Sequence, residues 1–98
     1  MKIKQFGGEY EVSVHKANYY NGNLAITLIC DNGEPYGIIT KNLCDGLPRD
    51  QAYADTNNMP DAERFIKENG LGEFTGATKD SGYCTYPLYK FNLDKLEE

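Results

Sequence analysis

Tryptophan is absent from this sequence, histidine occurs once, and the three cysteines have no partner spacing. No apolar run approaches the ~18 residues that a membrane-spanning helix needs. The segment Met1–Phe6 carries Lys2 and Lys4 with no apolar stretch behind them, so no signal peptide is expected. Cys30, Cys44 and Cys84 are odd in number and form no Cys-x-x-Cys pair, which points to reduced thiols and a cytoplasmic protein. Cys30 and Cys84 fall inside apolar strand patterns, where a free cysteine acts as a small hydrophobe. His15, on the wet side of a strand pattern, has no ligand set around it, so no metal is expected. Nothing local makes His15 and Cys84 a base–nucleophile pair. Gly72–Lys79 contains glycines and threonines but no Gly-Lys-Ser/Thr and no preceding strand, so it is not a phosphate loop. Without a catalytic set the chain reads as a non-enzyme that needs no cofactor.

The charge that is present is unevenly placed. Residues 1–44 carry four lysines against four acids, whereas residues 45–98 carry six basic and eleven acidic residues, the whole of the net charge of −5. Direct binding to a nucleic-acid backbone is disfavoured, because that needs a basic patch to release counterions. An acidic surface suits a basic protein, including a groove that ordinarily holds nucleic acid. The plainer reading of the same charge is solubility.

Ninety-eight residues make one domain, residues 1–98. Period-two alternation of Tyr10, Val12 and Val14 with Glu9, Glu11, Ser13 and His15 predicts a half-buried strand. Asn21-Gly22 and Asn32-Gly33 lie between apolar runs and predict hairpins, since Asn and Gly tolerate positive φ. A two-residue turn at Asn32-Gly33 sets Cys30 against Pro35, Leu28 against Gly37 and Ile26 against Ile39. A three-residue Asn21–Asn23 loop sets Val14 against Cys30 and gathers Val12, Val14, Leu24, Ile26, Leu28, Cys30 and Ile39 on one face. The other face, with Ala25, Thr27, Ile29, Tyr36 and Ile38, is apolar enough to call for partial cover. A helix is expected over about 59–69. Asn58 would cap it, Pro60 would lie in its first turn, and Gly70 would end it with Leu71 against Ile66. Leu71–Gly82 reads as a loop or loose hairpin. Tyr83–Leu93 reads as a last strand in which Pro87 forces a bulge or an edge. Asp94–Glu98 reads as a fraying tail. The expected fold is α+β: a curved antiparallel sheet of about five strands with one short helix packed on one face.

The candidate surface lies between Tyr53 and Leu93. Its acids and amides are Asp55, Asn57, Asn58, Asp61, Glu63, Glu68, Glu73 and Asp80, and its aromatics are Tyr83, Tyr86 and Tyr89. Tyrosine serves protein-binding surfaces, although strand propensity also accounts for it. The Asp55–Asn58 oxygens lack calcium-loop spacing, and capping of local amides accounts for them.

The segments Tyr53–Pro60, Glu68-Asn69-Gly70-Leu71-Gly72, Ser81-Gly82-Tyr83 and Tyr86–Phe91 resemble a family of small uncharacterised proteins. That family is encoded on plasmids, conjugative elements and phages of Gram-positive bacteria, and the resemblance covers roughly residues 34–93. It implies a mobile element and assigns no site residue. Small acidic proteins in that setting often inhibit host defence. The expected partner is therefore a host protein with a basic surface, in concrete form a Cas9-like CRISPR nuclease bound by an anti-CRISPR protein. An accessory role in conjugation or replication is the alternative, and a small enzyme is the third.

Overall fold

The computed structural model describes residues 1–97. Its sheets are β1 (Lys2–Gln5), β2 (Gly8–Asn18), β3 (Leu24–Cys30) and β4 (Pro35–Ile38), in that spatial order, and β5 (Thr40–Lys41), β6 (Gln51–Ala54), β8 (Cys84–Phe91) and β7 (Gly72–Ser81). All pairings between these strands are antiparallel. One helix, α1 (Ala62–Glu68), completes an α+β fold.

The expected single sheet of about five strands is corrected to two sheets of four, joined at one residue. The Ile39 N–H donates to the Ile26 carbonyl at 2.9 Å, and the Ile39 carbonyl accepts from the Asp55 N–H at 2.8 Å. Residues 35–41 thus run on from one sheet into the other, and α1 lies against both β1 and β7. The strands missed were β5 and β6, which are short, and β7, whose residues are exposed from Glu73 to Ser81. A strand wet on both faces has no hydrophobic alternation to betray it.

The core set is as expected. Val12, Val14, Leu24, Ile26, Leu28 and Ile39 are buried together with Ile3, Phe65, Ile66, Tyr89 and Phe91. The registers differ in detail. Tyr19–Asn23 joins β2 to β3, so Val14 lies opposite Leu28 and Val12 opposite Cys30. A slip of two residues keeps every side chain on its face, which is why the core survives the difference. Leu28 lies opposite Gly37, but a bulge places Pro35 opposite Ile29. The bulge lets Tyr36 pack against the core. On the outer face Ala25 is buried, Tyr19 reaches Thr40 with its hydroxyl, and Ile38 stays 46% exposed.

Helix α1 is shorter than expected and Asn58 does not cap it. Asp61 occupies the N-cap position with no side-chain cap bond. Its carboxylate is drawn instead to the Lys4 N–H at 2.7 Å and to Arg64. The helix ends as expected. Gly70 has φ +64, its N–H donates to the Lys67 carbonyl, and the Leu71 N–H donates to Ile66, the bond pair of a Schellman motif. The tail does not fray over its described part. Leu96 is buried, and Glu97 pairs in parallel with His15, its N–H donating to the Val14 carbonyl at 2.8 Å. Glu98 lies outside the described residues.

The antiparallel order fixes which turns share an end. β1, β3, β6 and β7 run one way, and the strands between them run back. The turns at Phe6-Gly7, Asp31–Glu34 and Gly82-Tyr83 and the loop 55–61 therefore lie at one end of the molecule. Gln5, buried at 6% exposure, ties three of these parts together. It donates to the Tyr36 hydroxyl at 2.8 Å and accepts from the Asp61 N–H at 3.3 Å.

Candidate functional site

Strand alternation decides which of the candidate residues reach solvent. On β8, Tyr89 and Phe91 turn into the main core, while Tyr86 and Leu88 turn to the opposite face. There they meet Tyr53 and are covered by Leu43, Cys44 and Leu47. Tyr86 is 3% and Tyr89 0% exposed, so neither presents a ring to a partner. This corrects the expectation of a tyrosine-rich surface strand: β8 is interior, flanked by β6 and β7, and a strand covered on both faces is apolar on both. Burial above all, and then the Cys84 thiol, pushes the Tyr86 hydroxyl up. Tyr53 is raised by burial and then by Cys44. Tyr83, in the two-residue turn between Ser81 and Cys84, is fully exposed.

The acids divide in the same way. Asp55 is buried at 6% exposure, and its carboxylate accepts the Asn58 N–H at 3.2 Å and the Asn58 side-chain amide at 3.0 Å. It is a local turn fastener, which corrects its placement on the partner surface. Asn57 and Asn58 are exposed beside it. Glu63 is half-buried and accepts the Tyr89 hydroxyl at 2.6 Å. Burial, then this carboxylate, raises the Tyr89 hydroxyl far above its ordinary value. Asp61 and Glu68 both pair with Arg64. The Arg64 hydrogen bonds hold the Asp61 carboxyl below its usual range against the opposing effect of burial. One guanidinium thus offsets one of the two negative charges locally. Glu73 and Asp80 remain on β7, exposed and, among the described residues, in no ion pair, although Lys90 lies opposite Glu73 in the ladder and Asp80 accepts the Thr85 hydroxyl at 2.6 Å. Lys67, Lys79 and Lys90 are exposed in the same part of the chain, so the field there is mixed rather than uniformly acidic.

β7 itself is an edge strand, paired only to β8. Its ladder is broken between Phe74 and Thr78. The Thr75 hydroxyl bridges the gap, donating to the Leu88 carbonyl at 2.9 Å and accepting the Ala77 N–H, and Gly76 takes φ +90. On the other side the ladder to β6 ends at Tyr53–Leu88. The Phe91 N–H donates toward β6, so alternation aims the donorless nitrogen of Pro87 the same way. Proline thus stops β6 there, and Cys84–Pro87 continues with β7 alone as an overhanging hairpin.

Three features escaped the sequence reading. Arg64 acts as a clamp, joining Asp61, Glu68 and the Lys2 carbonyl. Asn23, 4% exposed, bonds Asn42, the Cys44 carbonyl and the Leu47 N–H, and so fastens the loop over Tyr86. Phe6 is the third: it is 83% exposed with φ +50. The first two depend on residues distant in sequence and left no local signal. Phe6 was legible as an apolar residue beside Gly7-Gly8.

A cleft of about 760 Å³ opens beside the end of α1, lined among others by Asp50, Lys67, Glu73, Lys90 and Asp94. Among the described residues none of these five is ion-paired, and no group of three metal-ligating side chains converges. His15 bonds Ser13 at 2.8 Å and lies 3.9 Å from Glu97. The thiols of Cys30, Cys44 and Cys84 are free and half-buried. No helix among the described residues is long and apolar enough to cross a membrane.

Neither the curated proteins nor the solved structures contain a match to this chain. A family model does match it, over residues 12–98, which takes in every strand from β3 onward, the helix and most of β2. The chain belongs to this family, a domain of unknown function (DUF4313).

Proposed function

We propose that this protein acts by binding another protein, presenting β7 and its hairpin tip to a basic surface. The concrete form is an anti-CRISPR-type inhibitor, carried by a mobile element, of a Cas9-like nuclease in the host cytoplasm. The observation that carries the reading is the edge strand. Residues 73–81 are exposed, the outer edge faces no other strand among the described residues, and Glu73 and Asp80 stand on it outside any ion pair, with Lys79 beside Asp80 and Lys90 opposite Glu73. Unpaired strand edges accept partner backbone, and carboxylates beside them favour a basic partner. The bulge at Thr75–Ala77 interrupts the edge and limits indiscriminate strand addition.

The test is association with a purified Cas9-type nuclease, followed with and without guide RNA and by target cleavage. Binding should slow as salt rises, because screening lengths fall from roughly 10 Å at 0.1 M to about 3 Å at 1 M. The Glu73→Lys, Asp80→Lys double variant should cut the on-rate by about tenfold while changing the off-rate less. The protein alone should not bind duplex DNA at physiological salt. Undiminished inhibition by the double variant, or tight DNA binding, would sink the reading.

A further inference from the structure

We infer that the end of the molecule where four turns gather is a protein-docking face anchored by Phe6 and Tyr83, fitted to a partner that offers apolar pockets among basic side chains. The inference deepens the protein-binding reading and does not depend on the partner being a nuclease.

Two hairpins overhang their sheets at this end. β2 meets β3 from Val12 onward and the Glu11 carbonyl accepts the Asp31 N–H at 3.3 Å, so Gly8–Tyr10 pairs with β1 alone. Cys84–Pro87 pairs with β7 alone. Each overhang carries an aromatic at its tip, Phe6 at 83% exposure and Tyr83 fully exposed. The loop with exposed Asn57 and Asn58 leads to Asp61, whose N–H reaches Gln5 beside the Phe6 turn.

Folding does not account for Phe6. Gln5 lies opposite Gly8, so Phe6 and Gly7 are the two central residues of a tight turn, with φ +50 and +78. That geometry favours Asn or Gly at both positions, and a bulky residue there is disfavoured by its Cβ. An apolar ring that gains no burial and strains its backbone is retained against stability, and such outliers mark contact sites. Tyr83 needs no such strain, because Gly82 takes the positive φ of its turn at +61. Glu9 is paired with Lys2 at 3.2 Å, which leaves Asp31, Glu34 and Asp80 against Lys4 and Lys79 as the exposed charges around the tips. With a net charge of −5 on each copy, that excess of acid argues for a basic partner rather than a second copy of the chain.

The experiment places the photo-crosslinker p-benzoylphenylalanine at position 6, 83 or 20 of the full chain, expressed in Gram-positive cells. Tyr20 is the control: it is fully exposed, but its turn lies at the opposite end. Positions 6 and 83 should capture one and the same protein, and position 20 should not. That protein, purified, should lose about tenfold or more in affinity for Phe6→Asn and for Tyr83→Asn, the scale of an anchor residue. Phe6→Asn should meanwhile leave Tm unchanged or raise it, since Asn accepts a left-handed φ. Capture of different proteins from 6 and 83, capture from 20 alone, capture only of a second copy, or no capture would overturn the inference. So would unchanged affinity of both variants, or a fall in Tm for Phe6→Asn, which would make the ring structural. A captured partner that is not a nuclease upholds the docking face and removes the nuclease reading.

Discussion

The two faces of β8 bury apolar side chains by different means. One face sends Tyr89 and Phe91 into the main core, against β2, β3 and α1, whose backbones are tied into ladders or a helix. The other sends Tyr86 and Leu88 toward Tyr53 under a cover of Leu43, Cys44 and Leu47, which belong to a loop. That loop has no ladder to hold it and is fastened by side-chain amides: Asn23 bonds the Cys44 carbonyl and the Leu47 N–H, and Asn21 bonds Asp45. Burial alone therefore does not say how firmly a cluster is held. The main core should open only with global unfolding, whereas the small cluster depends on a few polar contacts and can open by itself.

Breaking each region in turn tests this difference. The largest effect is expected from Phe65→Ala, which empties a fully buried site between the helix and the sheets. It should cost about 3–5 kcal/mol in urea unfolding, and an unchanged midpoint would show that α1 is not docked on the core. Asn23→Ala should cost less, about 1–3 kcal/mol, by leaving the part-buried Leu47 N–H without its partner and the Cys44 carbonyl with only the longer bond from Asn21. Its signature is local: the Leu47 amide should lose hydrogen-exchange protection while the Val14 amide keeps it. Equal loss at both would erase the distinction between the two clusters.

The smallest effect is expected from Tyr89→Phe, about 1 kcal/mol near neutral pH, through loss of the hydroxyl bond to Glu63. Its pH dependence sharpens the assignment. The folded state raises the Tyr89 hydroxyl, so its contribution is present below about pH 10, the unfolded value, and is lost as pH rises beyond it. The variant should flatten that alkaline decline. Asp61 has the opposite sign. Its folded value is lowered, so its stabilisation is present above about pH 3.9 and fades as pH falls, and Asp61→Asn should flatten the acid limb. Alkaline or acid profiles identical to those of the parent protein would remove these pairs from the account.

Periodicity and turn chemistry carried much of the fold. Val12, Val14, Ile26 and Leu28 were readable as one buried face because alternation survives a slip of two residues. Gly70 was readable as a helix stop because few other residues accept its φ of +64. The candidate surface was less legible. Tyr83, Tyr86 and Tyr89 look alike in sequence, yet only the first is exposed, since exposure depends on what covers each face of β8. Acids that look free in a charge count proved to be partnered by Arg64, Tyr89 or Asn58.

By itself the sequence determined the α+β class, the inward faces of β2 and β3, the turns at Asn32-Gly33 and Gly70, and the placing of all net charge after residue 44. These rest on local geometry and composition, which neighbouring residues set. Only the tertiary structure decided that there are two sheets rather than one, that β7 is a strand, that the tail docks on β2, and that Phe6 and Tyr83 share an end. Those outcomes depend on which distant segment supplies a backbone partner or a cover, and an exposed edge strand or a strained turn carries no hydrophobic pattern to announce it.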